Sequence, residues 1–421
     1  MSESSLNIPY LMLLVVALMG LMILALIVAT VGTKALRAAG NRRYKSRRRR
    51  IEPLLESYLL EEESPGLWSL GMRDEDRYLA PLMVERMNVL RGSDRERIAA
   101  LAWELGLVGK YARTLDSRSR WRRARAAELL GYFGGPDETP AIAVLLGDED
   151  ETVRAVAARA LARTGSPEAV EALTRTLDNP SELTRLRVAE NLDRVGQAAV
   201  PPLLSLLEEA VNPESHRRQH GPVFASQVLG GLRAREALPA LRRAAREGDN
   251  QNVRAQAVRA LGRIGDLEDL SLVVEAAGDE AWPVRVQAAN ALGILGEPST
   301  APVLEELVAD REWWVRSAAA SALANMGRSG EDALIGLLGS SDPYARDRAA
   351  ATLERRGLTR RFAKQLSLES ARGERARTAI SALVESGITR HLHDLLDSLP
   401  EGEERRALRE FVLKEPAAKL E

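Results

Sequence analysis

The sequence predicts an all-α chain, an α-solenoid of paired helices preceded by a single transmembrane helix. Three observations carry that expectation. Arg recurs at 123, 154, 185, 254, 285, 316 and 346, with spacings of 31, 31, 69, 31, 31 and 30. A fixed period held over this length marks a repeat architecture in which each unit buries its core only against its neighbours. Aromatic residues make up only 4% of the chain while Ala and Leu abound, which favours close-packed helices over strands. Finally, the stretch from Tyr10 to Val31 carries no charge, and thirteen of its twenty-two residues are Leu, Ile or Val.

That apolar stretch comes first. At ~1.5 Å per residue it reaches roughly 33 Å, enough to cross a hydrocarbon core of about 30 Å. A secretory signal would carry its basic residues ahead of a shorter apolar core. Here Lys34, Arg37, Arg42, Arg43, Lys45 and Arg47 to Arg50 follow it. Basic residues mark the cytoplasmic side of a span. The expectation is therefore a short exoplasmic head at 1–9, a membrane helix at 10–32 and everything else in the cytoplasm, on the plasma (inner) membrane. Arg47, Arg48, Arg49 and Arg50 are candidates for contact with anionic head groups, or act only as a topology signal.

Residues 33–63 turn from basic to acidic. Ile51 to Glu63, with Leu54, Leu55, Tyr58 and Leu59 among glutamates, predicts a short amphipathic helix stopped by Ser64-Pro65-Gly66. Residues 64–93 are expected to form a helical lead-in, and Ser93 to Leu107 resembles a degenerate first repeat.

The array proper is expected over 94–357. The 69-residue spacing leaves room for one more repeat with seven extra residues near 209–221. Each unit predicts two helices. Around 140–165, Pro140 to Leu146 is the first, Asp148-Glu149-Asp150 the turn and Glu151 to Arg163 the second, with Val153, Ala157, Ala160 and Leu161 on one face. Gly165 stands where a helix end wants a left-handed residue. The units close alike, as in Val253-Arg254 to Gly265 and Val284-Arg285 to Gly296. Residues 358–421 predict degenerate repeats and a cap for the open end.

These features resemble HEAT repeats, in the short bacterial form named after phycobilisome lyases. The resemblance implies a ladder of turn Asp and second-helix Arg, carried here by Asp148 with Arg154, Asp279 with Arg285 and Asp310 with Arg316. Asp178 with Arg185 and Asp249 with Arg254 stand one residue out. It also implies that second helices line a concave surface. The regular arginines are accordingly expected to be structural.

Little in the chain points to catalysis, and no enzyme is expected. With no cysteine, thiol chemistry and Cys-ligated metals are excluded. His216 and His220 have i,i+4 spacing, but Arg217 stands where a zinc protease needs Glu. His391 and His393 do not share a helix face. HEAT-fold metal hydroxylases use His-Glu dipeptides, which are lacking here, as are phosphate-loop, serine-elbow and dinucleotide motifs. No cofactor, metal or catalytic residue is assigned.

Recognition fits better. Trp282 and Trp313 hold the same repeat position thirty-one residues apart, Trp314 adjoins the second, and Trp121 matches Trp314 in an earlier unit. Tryptophan is enriched in binding hot spots; the alternative is that each covers the neighbouring repeat. The outward positions of the second helices run from Arg159, Arg163, Glu190 and Arg194 through Arg259 and Arg263 to a neutral patch at Asn290, Ile294, Ser321 and Asn325. Partner-binding candidates are thus Trp282, Trp313, Trp314, Asn290, Asn325, Arg259 and Arg263. Fifty-nine basic against sixty acidic residues make the chain no polycation, so nucleic acid is the runner-up partner rather than the first. The sequence predicts a membrane-anchored cytoplasmic scaffold for a protein partner. Proteins of this layout resemble accessory components of envelope or exopolysaccharide systems, which implies a partner such as a membrane-associated glycosyltransferase. A bilin-lyase-like enzyme is the remote alternative.

Overall fold

The structure, a computed structural model, describes residues 8–60, 76–210 and 220–413, without the side chains of 8–11, 29, 32–33, 35–43, 76–77 and 210. Among them every regular element is helical, and the chain divides into two compact units, Met1–Ile142 and Ala143–Glu421.

The first unit holds α1 (Ile8–Leu59), α2 (Asp76–Val89), α3 (Ser93–Glu104), α4 (Leu107–Ala112) and α5 (Arg120–Phe133). Helix α1 runs 52 residues without a break, with Pro53 inside it. The separate amphipathic helix expected from Ile51 is instead the end of α1. Its apolar side is buried at Ile51 and Leu55, against α2 and α3. Ion pairs join it to α2: Arg86 of α2 reaches Glu52 at 2.9 Å and Glu56 at 2.7 Å, while Arg48 of α1 reaches Glu85 of α2 at 2.9 Å. Arg97 of α3 donates to the Tyr58 carbonyl at 2.9 Å. The stop at Ser64-Pro65-Gly66 lies outside the described residues. The membrane helix expected at 10–32 is not shown: among the described residues no helix is long and apolar enough to cross a membrane. Within that stretch the described side chains are those of 12–28, 30 and 31, all of them exposed.

Helix α6 (Thr139–Val144) lies where the two units divide. In the second unit the second helices of successive pairs are α7 (Glu151–Thr164), α9 (Glu182–Val195), α11 (Gly221–Gly231), α13 (Gln251–Ile264), α15 (Trp282–Leu295), α17 (Trp313–Asn325) and α19 (Pro343–Arg355). The first helices between them are α8 (Pro167–Arg175), α10 (Val200–Ala210), α12 (Leu238–Glu247), α14 (Leu270–Ala276), α16 (Ala301–Val308) and α18 (Gly327–Leu337). Helices α20 (Leu358–Gln365), α21 (Ala371–Glu385), α22 (Arg390–Ser398) and α23 (Glu403–Leu413) follow. The second helices pack side by side as one layer on the layer of first helices, and Val153, Leu161, Leu173, Leu192, Leu241 and Leu292 are buried between them. Local chemistry sets the ends: the Asp150 carboxylate accepts the Thr152 N–H at 2.9 Å, and Gly165, Gly265 and Gly296 turn left-handed after α7, α13 and α15.

The additional repeat expected in the long spacing is there. Its second helix is α11, and its closing position is Arg233, whose φ of 53° makes it the one non-glycine residue with positive φ among those described. Where the other units carry the regular Arg it has Pro222, so the Arg register skips it. The start of α11 is held by Asp178, whose carboxylate accepts the Gly221 N–H at 2.7 Å. Where α11, α13, α15 and α17 pass one another, glycine faces alanine. A Cβ on Gly230 would stand 2.6 Å from the Ala260 Cα, one on Gly262 2.5 Å from the Ala291 Cβ, and one on Gly293 2.7 Å from the Ala322 Cβ.

The ladder forms at the expected pairs Asp148–Arg154, Asp279–Arg285 and Asp310–Arg316, but through the Asp backbone carbonyl rather than the carboxylate. Each regular arginine donates to the carbonyl six residues earlier: Arg154 to Asp148 at 2.7 Å, Arg185 to Asn179 at 2.7 Å, Arg254 to Gly248 at 3.0 Å, Arg285 to Asp279 at 2.9 Å and Arg316 to Asp310 at 2.8 Å. Asn179 and Gly248 hold the turn position rather than Asp178 and Asp249. The carboxylates serve the preceding repeat, Asp279 binding Arg254 at 2.9 and 3.0 Å and Asp310 binding Arg285 at 2.7 and 2.9 Å. Nor do these aspartates cap helices. Asp279 and Asp310 accept the N–H of Ala281 and Glu312, each at 2.8 Å, folding the turn just before the helix.

Candidate functional site

The expected tryptophans lie at the starts of second helices. Their positions precede the first core residue, Val284 in α15 and Val315 in α17, and so project past the packed layer. Trp282 is 41%, Trp313 47% and Trp314 58% exposed, so none is a buried cover for its neighbour. The Trp313 and Trp314 rings meet edge-on at 4.6 Å. One repeat on, Tyr344 of α19 continues the row at 65% exposure. Arginines are interleaved: the Arg348 guanidinium lies 5.1 Å from the Trp313 ring and that of Arg316 5.0 Å from Tyr344. Burial, with Arg355 and Arg316 nearby, pushes the Arg348 guanidinium below its ordinary value. The sequence reading missed Tyr344 and Arg348, although Tyr344 stands thirty residues after Trp314, in register. Trp121, in the other unit, is 68% exposed beneath the guanidinium of Arg120.

On the second-helix layer Arg159, Glu190, Arg194, Arg263, Asn290, Ile294 and Asn325 are exposed, as expected, whereas Arg163, Arg259 and Ser321 are half-buried. Burial and the like charge of Arg263 push the Arg259 guanidinium down. The patch at Asn325 is less neutral than expected, because Arg356 donates to the Asn325 side chain at 2.8 Å. Arg263 and Ile294 meet in a depression of about 610 Å³ with Glu190, Asp193, Gln227, Gly230, Gly231 and Arg233. It shares no residue with the tryptophan row, and neither Asn290 nor Asn325 lines it.

Among the described residues no group of three or more His, Asp or Glu could hold a metal ion. His216 lies outside them, and His220 is exposed ahead of α11. The His391 Nδ1 stands 2.7 Å from Glu354, a paired surface contact. Of the four candidate head-group arginines, Arg47, Arg49 and Arg50 are exposed. Arg48 is half-buried in ion pairs with Glu52 and Glu85, so it braces α1 against α2 instead.

Stacked helix pairs with a carboxylate–guanidinium ladder and unpaired outer faces define an α-solenoid, a helical scaffold suited to protein interaction. A family profile for HEAT repeats matches residues 111–193, 139–219, 200–285 and 238–324, and the chain belongs to the HEAT-repeat family. No curated protein matches it in sequence. Solved structures similar to it include the complex of CpcE and CpcF of phycocyanin lyase from Nostoc sp., at 22% identity over 59% of this chain and 94% of that one, with a TM-score of 0.31. Human deoxyhypusine hydroxylase in complex with glycerol is similar at 21% identity over 61% and 99%, with a TM-score of 0.27. The karyopherin Kap121p bound to the extreme C-terminus of the protein phosphatase Cdc14p is similar at 12% identity over 86% of this chain, with a TM-score of 0.42, and the chain spans 50% of that karyopherin.

Proposed function

We propose that the chain is a non-catalytic, membrane-anchored scaffold that holds a protein partner at the cytoplasmic face of the membrane. One observation carries the partner-binding reading: Trp282, Trp313, Trp314 and Tyr344 stand exposed in register at the starts of three successive second helices. Four large aromatic side chains kept in solvent in one row are costly unless a partner covers them, and aromatic anchors dominate interface energetics. The anchor rests on the uncharged run 10–31, helical throughout, with apolar side chains exposed all round from Met12 to Val28. A helix apolar on every side needs an apolar surround. The basic residues after it support a cytoplasmic solenoid. The partner class follows by analogy of layout, a membrane-associated enzyme of an envelope or exopolysaccharide system.

The alternation of Arg316 and Arg348 with Trp313 and Tyr344 favours a second reading, since stacked aromatics among arginines also hold single-stranded nucleic acid. One experiment separates the two. The full-length chain in mild detergent is used to capture partners, and a variant with Trp313→Ala and Trp314→Ala is compared with it. Loss of a specific protein, at unchanged helicity and melting temperature, supports the scaffold. Salt-sensitive retention of an oligonucleotide, abolished by the same variant, supports the runner-up. A collapse in melting temperature would show the two rings to be structural.

A further inference from the structure

The depression on the second-helix layer is drawn out across four helices, and its lining changes chemistry along the way. At α9 it is acidic, with Glu190 and Asp193. In the middle it is cationic, with Arg233 after α11 and Arg263 on α13, and at α15 it ends on exposed Ile294. Asp193, Arg233 and Arg263 make no ion pair among the described residues. Resting on the scaffold reading, we infer that this slot binds an extended segment of a protein partner bearing a cationic, then an acidic, then an apolar side chain.

The size of the slot argues against a small ligand. Neighbouring helices pack about 8–10 Å apart, so the outer zones lie roughly three such steps apart. About 610 Å³ spread over that length is a shallow trough. An extended chain advances ~3.3 Å per residue, which places the three side chains about four residues apart. The lining also argues against nucleic acid. None of these side chains is aromatic, and Glu190 and Asp193 repel phosphate. Gln227, half-buried in the wall, offers an amide donor and acceptor to a passing peptide backbone.

Two features of the repeat at α11 expose this site. A Cβ on Gly231 would come 3.0 Å from the Asp193 carboxylate, so glycine leaves that carboxylate open. Arg233 then takes the left-handed backbone that glycine adopts at the ends of the neighbouring repeats. An L-residue is disfavoured there. No ion pair within the described fold compensates for it; a carboxylate on the partner segment would.

The test uses the full-length chain in mild detergent and three labelled nonapeptides. One carries Lys, Glu and Leu at positions one, five and nine among Gly and Ser; the second has that order reversed; the third has Lys and Glu exchanged. Fluorescence anisotropy should show one of the first two binding about tenfold tighter than the third. The double variant Asp193→Arg, Arg263→Glu, altering only exposed side chains, should invert that preference. Equal binding of all three, or a preference unchanged in the double variant, overturns the inference. So does displacement of the bound peptide by oligothymidylate alone. If capture through the tryptophan row persists while the peptides show no order preference, the slot assignment fails and the scaffold stands. If the peptides behave as expected and the row captures nothing, the scaffold reading of the row fails instead.

Discussion

The guanidinium of Arg285 joins two repeats at once. It donates to the carbonyls of Asp279 and Glu280 in its own turn, at 2.9 and 3.0 Å, and to both carboxylate oxygens of Asp310 in the next, at 2.7 and 2.9 Å. Both side chains are nearly buried, 8% and 10% exposed. Removing the acid strands a buried cation, so Asp310→Ala should cost about 3 kcal/mol in urea unfolding. Burial alone would push the Asp310 carboxyl up. The hydrogen bonds from Arg285 and from the Glu312 N–H, with the charges of Arg285 and Arg311, outweigh it and hold the carboxyl below its ordinary value. A carboxyl lowered on folding contributes fully above its unfolded value of about 3.9, and that contribution is lost as pH falls through the folded value. The stability gap between the native chain and Asp310→Asn should therefore narrow below pH about 4 and vanish further down, by urea titration at each pH. The arginines of this ladder were legible in the sequence, because their spacing is regular. Asp178 and Asp249 stood one residue out of register, and Asn179 and Gly248 hold the turn position there. What an arginine here requires is a backbone carbonyl six residues back, which any residue supplies, including Asn179 and Gly248.

At the scale of elements, the second helices are set by glycine against alanine. Gly262→Val would drive α13 from α15 and should cost about 2 kcal/mol in thermal unfolding, as overpacked cores do. Gly336, in α18, has open space where a methyl group would stand, with nothing within 4 Å, so Gly336→Ala should raise stability by up to ~1 kcal/mol. If both substitutions destabilise alike, steric contact is not the cause. The helix pairs could be counted from the period alone, and the surplus in the long spacing revealed α11 as well. The merging of 51–59 into α1 could not be read, because a charge reversal resembles a boundary unless the opposing arginine, Arg86, is known to face it. The tryptophan row followed from register. Tyr344 shares the repeat position of Trp314 but not its residue type, so it shows only when the position is followed from unit to unit. The slot was illegible, since it depends on side chains of four repeats lying together, with Asp193, Arg233 and Arg263 outside any ion pair among the described residues while Glu190 pairs with Arg187 at 3.1 Å.

At the scale of the whole molecule, the first unit opens with α1, whose side chains from Met12 to Val28 are uncharged and exposed. If that stretch is an anchor, the full-length chain should stay with membranes through a carbonate wash, and deleting 10–31 should release it; the intact chain washing off would defeat the proposal. A reporter on the C-terminus should be active only in the cytoplasm. Helix α1 has a further consequence. It runs unbroken from the apolar stretch to Ile51 and Leu55, which are locked in the first unit's core. The two ends therefore share one rotational phase. Each residue inserted or removed between 34 and 47 would turn the apolar end by about 100° relative to the core and shift it by ~1.5 Å, and seven residues, close to two full turns, would nearly restore the original heading. The length of this helix thus encodes an angle as well as a distance.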